Sequence, residues 1–213
     1  TLYYANLRSF RYDLLPDTWR NTVAFLNVFS VAAVMCSLGS RFIYPQLSLE
    51  GQGFWIIGLS PTSMRRVLLT KFVLSLTGML LVSVSLMLLS STMLSASFLT
   101  KVVAAVLAGA ISFAVCGLST GLGAVFLNLE QRNPAAIVSG FGGTLNLVLS
   151  LGFMLAVILP FGFLFHLHNM ARIQEAPFHA GLLLASAWMI LATLLAAGIP
   201  LWAGIRSLSA REF

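Results

Sequence analysis

Residues 102–127 read VVAAVLAGAISFAVCGLSTGLGAVFL, an apolar run without a charged side chain. A run well beyond 18 such residues crosses a bilayer as a helix, because a helix satisfies its backbone N–H and C=O groups internally. A strand lining a barrel lumen alternates polar with apolar residues, and this run does not. The pattern repeats outward from it, at residues 21–43, 64–89, 135–165 and 181–205. The whole chain of 213 residues is 59% hydrophobic and 8% charged, with a mean hydropathy of +0.95. A water-soluble chain of this length would lack the polar surface to cover itself. The predicted fold class is an all-α integral membrane protein with five transmembrane helices.

The stretches between the runs carry their own signals. Residues 1–20 mix Tyr3, Tyr4, Phe10, Tyr12 and Trp19 with arginines and aspartates, as expected of an interfacial segment at the headgroup layer. Arg41 closes the first run, its stem able to reach the interface, and Pro45 ends it. Ser60-Pro61 reads as an N-cap followed by proline at the first helical position, and Arg65, Arg66 and Lys71 sit in the next turns. Asn133-Pro134 repeats that cap signal at the end of a polar turn that starts at Asn128. The run at residues 135–165 exceeds the roughly 20 residues needed to cross, so it is predicted to tilt, to break near Pro160 or to add an outer half-helix. The chain starts at Thr1 without methionine or a signal-peptide pattern, and a natural N-terminal part is expected to be missing.

A net charge of +6 would suggest nucleic acid in a soluble domain. Here the cations lie at the ends of apolar runs, where headgroup anchoring and topology account for them, and no nucleic-acid partner is expected. Five spans put Arg41, Arg65, Arg66, Lys71, Arg132, Arg206 and Arg211 on one side. Arg8, Arg11, Arg20, Lys101 and Arg172 fall on the other. The excess of cations on the first side assigns it to the cytoplasm.

Several chemistries have no residues to carry them. No aspartate, glutamate, lysine or histidine lies near the centre of a run; Asn27 and Asn146 are the most polar side chains there. Carriers driven by ion gradients usually need an ionisable group at that depth. The sequence holds no GxxxxGK[ST] loop, so uphill transport would draw its energy from another subunit. It also lacks HExxH, GxSxG and paired intramembrane carboxylates, and the chain is not expected to be an enzyme. Cys36 and Cys116 lie inside apolar runs and read as small hydrophobes. His166, His168 and His179 share a loop with Glu175, but histidine is also ordinary at an interface, and no metal site is assigned.

Two further features concern contact rather than catalysis. Gly117 and Gly121 form the GxxxG spacing that lets helix backbones approach closely. Packing inside one subunit, a protomer interface and a hinge all fit it. Residues 47–66, LSLEGQGFWIIGLSPTSMRR, are too interrupted to cross a bilayer yet too apolar for a solvated linker. Phe54, Trp55, Ile56 and Ile57 need cover from lipid headgroups or from a protein partner.

Arg41-Phe42-Ile43-Tyr44-Pro45 with Ser48-Leu49-Glu50-Gly51, Phe54-Trp55, Ser60-Pro61 and Lys71 resembles the first cytoplasmic loop of permease subunits in the ABC-2 type / putative ABC exporter family. Asn133-Pro134 is similar to the second cytoplasmic loop, and Arg211-Glu212-Phe213 to the C-terminus. The resemblance implies a six-helix unit lacking its first helix, so that the chain is the C-terminal part. Residues 1–20 become an external segment, residues 21–213 a transmembrane permease domain, and residues 46–63 a coupling loop with a short cytoplasmic coupling helix. It implies a permease subunit of an ATP-driven exporter, coupling ATP hydrolysis on a separate nucleotide-binding subunit to substrate export. The alternative is a non-transporting membrane scaffold subunit of a larger complex. Glu50, Gly51, Phe54, Trp55, Pro61, Arg65 and Arg66 would form the ATPase-coupling surface, with an apolar anchor and a polar rim. ATP and Mg would bind the partner, leaving this chain without a cofactor. The expected partners are ABC ATPase subunits, a second permease unit, identical or related, and membrane lipids. The expected location is the inner (plasma) membrane, multi-pass, with the C-terminus cytoplasmic.

Overall fold

A computed structural model of the chain describes residues 17–53, 63–93, 98–131, 133–169 and 175–210. Regular structure among the described residues is helical throughout. Helix α1 (Asp17–Leu38) continues through a π-helical turn (Gly39–Ile43) into two 3-10 segments (Tyr44–Gln46 and Ser48–Gly53). Then come α2 (Met64–Met93), α3 (Phe98–Val125), the short α4 (Pro134–Ser139), α5 (Phe141–Asn169) and α6 (Glu175–Ser209). Among the described residues, five stretches are long and apolar enough to cross a membrane: Phe25–Gly51, Met64–Ser90, Phe98–Val125, Phe141–His168 and Ala176–Ser209. Their outward faces are as apolar as their inward ones, with Leu81, Phe163, Leu183, Leu184 and Trp202 each largely exposed. Helices hydrophobic all round belong in a large core or in lipid, so the fold is compatible with a membrane protein.

Helix α3 is the axis of the bundle, because its small residues let neighbours come close. A Cβ on Gly117 would fall 2.5 Å from the Ala197 Cα of α6, and one on Gly121 would run into the Pro200 carbonyl. Gly204 of α6 returns the contact against the Gly121 carbonyl oxygen. The GxxxG pair therefore faces α6 of the same chain. Around this seam Met35 and Cys36 of α1, Phe72 and Met79 of α2, Ile111 and Val115 of α3, and Met154 and Val157 of α5 form one buried cluster. In lipid such packing stabilises through close van der Waals contact, since the tails outside are equally apolar.

Pro160 does not end the fourth membrane-length helix: α5 continues past it to Asn169. Proline at 160 removes the N–H that the Ala156 carbonyl would accept. The indole Nε1–H of Trp188, on α6, donates to that carbonyl at 3.0 Å instead. The break falls at Gly140, between α4 and α5, where the chain is extended at φ −69°, ψ 170°. There Gly142 fits beneath the Tyr44 hydroxyl and Phe126, leaving no space for a side chain.

Candidate docking layer at one end of the bundle

The loop layer begins where α1 loses its regular winding. Gly39 opens the π turn and lies against Val115 and Ser119 of α3. Ser40 follows, and its Oγ accepts from Asn146 Nδ2 at 3.0 Å. The same Nδ2 donates to Ser119 Oγ at 3.0 Å, and Asn146 is fully buried. One amide thereby ties the end of α1 to α3 and α5 with polar atoms that water does not reach. Tyr44 is buried next, its carbonyl oxygen against Gly123 and its hydroxyl against Gly142.

Beyond Tyr44 two polar turns meet. Gly51 takes φ 54°, ψ −135°, which L side chains rarely adopt, and so reverses the chain inside Ser48–Gly53. Ser48 Oγ accepts the Asn128 N–H at 3.2 Å. Asn128 Oδ1 accepts in turn from the N–H groups of Glu130 (3.1 Å) and Gln131 (3.3 Å), closing an Asx turn. Asn133 then caps α4, its Oδ1 accepting the Ala135 N–H at 3.0 Å with Pro134 at the first position.

Two side-chain contacts hold the layer to α2. The Glu50 carboxylate pairs with Lys71, and Ser75 Oγ donates to Gln46 Oε1 at 3.1 Å. Both members of the ion pair remain part-exposed, 25% for Glu50 and 21% for Lys71, so the pair adds at most about 1 kcal/mol to stability. Its value is positional. The second carboxylate oxygen of Glu50, Oε2, has no hydrogen-bond partner among the described residues. Beneath lies a small apolar cluster of Leu47, Leu68, Ala124, Leu127 and Leu208. The ends of α1, α3 and α6 and the start of α2 thus share one floor.

The residues singled out from the sequence divide into three groups. Glu50 and Gly51 sit in this layer with Lys71. Arg65 and Arg66 are exposed and head the opposite stripe of α2, which continues through Leu69, Val73 and Leu74, whereas Leu68, Phe72 and Met79 line the buried stripe. Phe54, Trp55 and Pro61, with Ser60, lie outside the described residues, as does most of the expected coupling helix. Ser63 stands at the start of α2 instead, its carbonyl accepting the Arg66 N–H at 2.8 Å.

Sequence reasoning did not single out Gln46, and it named Ser48 and Tyr44 only within the resemblance, without the contacts they make here. The Asx turn at Asn128 was readable in its own turn, but the partner 80 positions away was not. Elsewhere the histidines stand at the opposite end. His168 stacks on Phe178 with ring centroids 4.1 Å apart, while His166 is exposed. No group of three or more His, Cys, Asp or Glu among the described residues is placed to hold a metal ion. The layer offers contact chemistry: an ion-paired carboxylate, an ordered turn and a glycine-dependent kink.

Among the described residues, the fold and this layer define a set of membrane-length helices, all of the regular structure helical, with a built loop surface at one end. A family model described as "Putative ATP-binding cassette" matches residues 1–213, and the chain belongs to that family. No curated protein and no solved structure matches it. The match sets the chain among ABC transporter-related proteins and corrects its assignment as a permease subunit of an ABC-2 type exporter. The description names the nucleotide-binding cassette, and it does not favour the scaffold alternative either. The permease resemblance rested on separate short motifs between Arg41 and Lys71, at Asn133-Pro134 and at Arg211-Glu212-Phe213, whereas the family match covers residues 1–213.

Proposed function

We propose that the chain is a membrane-embedded component of an ABC-type assembly and that its loop layer holds a nucleotide-binding partner. The observation that carries this is the joining of two polar turns through Ser48–Asn128, held to α2 by Glu50–Lys71, into one surface at one end of the described apolar helices. In this reading ATP and Mg bind the partner, the chain is not itself an enzyme, and a second copy or related unit completes the assembly. The loop layer and the C-terminus face the cytoplasm of an inner (plasma) membrane. The proposal concerns association and assigns no cargo path.

The family description favours a second reading, in which this chain itself contributes to nucleotide binding. Against it stands a sequence with no GxxxxGK[ST] loop to cradle phosphates. Photolabelling of the complex purified from its native membrane with an azido-ATP analogue separates the two. Label on a co-purifying polypeptide, lost with that polypeptide in Glu50→Lys, supports the first reading. Label on this chain purified alone overturns it.

A further inference from the structure

The outer stripe of α2 forms a groove of about 670 Å³ that the docking layer does not use. Arg65 and Arg66 stand at its head, and Leu69, Val73, Leu74 and Thr77 line its length. The apolar part is open, with Leu74 67% exposed, and the Thr77 hydroxyl is already spent on the Val73 carbonyl at 2.9 Å. No carboxylate is among the described lining residues, and nearby Glu50 is paired with Lys71 on the other side of the helix. Two cations therefore crown an apolar trough with no anion from the described residues to neutralise them.

We propose that this groove is a binding site for one anionic phospholipid, the phosphate at Arg65 and Arg66 and an acyl chain along Leu69 to Thr77. From Arg66 to Thr77 the helix rises about 17 Å at 1.5 Å per residue. That is close to half of the roughly 30 Å hydrocarbon core, the depth of a single leaflet. Guanidinium groups bind phosphate oxygens in a planar, two-pronged geometry that a zwitterionic headgroup, carrying its own cation, satisfies less well. The inference rests on the membrane-embedded part of the proposed function and not on the nucleotide-binding partner.

The test is lipid retention in native mass spectrometry, using the full chain reconstituted in phosphatidylcholine discs containing one fifth phosphatidylglycerol. Wild type is expected to retain one phosphatidylglycerol over phosphatidylcholine by roughly 10- to 30-fold, from two cations near the headgroup. Arg65→Gln with Arg66→Gln abolishes that preference, while Arg41→Gln, which removes an exposed cation outside the groove, leaves it intact. Glycerol phosphate, which lacks acyl chains, does not displace the lipid. Equal retention by the double variant overturns the proposal, as does an equal loss in Arg41→Gln. Displacement by glycerol phosphate overturns it by reducing the site to a phosphate contact. Loss of a dimer or of a co-purifying protein with lipid retention unchanged makes the groove a protein interface, which also overturns it. Loss of nucleotide labelling in Glu50→Lys leaves these outcomes unaffected, so the two claims fail separately.

Discussion

Replacing Trp188 with phenylalanine removes one N–H from the bundle together with part of a ring that is half exposed. Its present acceptor is the Ala156 carbonyl, 3.0 Å away, which Pro160 has deprived of its helical donor. In Trp188→Phe that carbonyl loses this donor. Interhelical hydrogen bonds in membranes contribute about 0.6 kcal/mol on average and up to about 1.7. The freed carbonyl puts this one toward the upper end, at about 1 to 1.5 kcal/mol. Pro160→Ala restores the N–H at position 160, and the carbonyl then needs no indole. In that background Trp188→Phe is expected to cost only the small loss of ring contact, a few tenths of a kcal/mol. A double-mutant cycle measured by reversible unfolding in mixed micelles therefore shows a coupling of about 1 kcal/mol. Equal costs of Trp188→Phe in the two backgrounds would refute this account of how α5 passes Pro160.

Other substitutions test the remaining contacts by the same assay. Gly121→Ala drives a methyl group into the Pro200 backbone and is expected to cost about 1 to 3 kcal/mol, whereas Gly109→Ala, with only Leu80 at 3.9 Å, changes stability by less than about 0.5. Asn146→Leu strips Ser40 and Ser119 of their shared partner and costs about 1 kcal/mol, the hydroxyls being able to turn to their own helices' carbonyls. Gly51→Ala strains the reversal at φ 54° by about 1 to 3 kcal/mol and loosens the loop layer, read as faster proteolysis between residues 44 and 53. Glu50→Lys with Lys71→Glu restores the ion pair that either change alone breaks, and so recovers partner association lost in the single variants.

The crossing elements were legible because length and unbroken apolarity are local properties. Residues 102–127 alone implied a spanning helix, and Asn133-Pro134 announced the cap that Asn133 makes on α4. What depended on a second segment was not legible. Pro160 reads as a breaker until Trp188 arrives from another helix to satisfy the carbonyl it orphans. Gly117 and Gly121 signalled a close approach without naming the partner, which turns out to be Ala197 and Pro200 of the same chain. The docking layer is the extreme case. Ser48 and Asn128 are ordinary turn residues whose pairing spans 80 positions, and only the shared floor of Leu47, Leu127 and Leu208 brings them together. Arg65 and Arg66 looked like neighbours of Glu50 in the chain, yet the 3.6-residue period turns them onto the opposite face of α2 from Lys71. The family resemblance erred in a related way, extending short motifs between Arg41 and Lys71, at Asn133-Pro134 and at the C-terminus to a subunit identity that the match over residues 1–213 does not carry.

Leu49 is exposed in the middle of the loop layer, and Leu184 is exposed on α6, far along the apolar surface. A photo-crosslinking residue placed at each position in turn, followed by azido-ATP labelling of the products, tests the docking claim at its centre. The account predicts an adduct between position 49 and a separate polypeptide that carries the nucleotide label, with none from position 184. Label on this chain alone, or adducts formed equally from both positions, would contradict it.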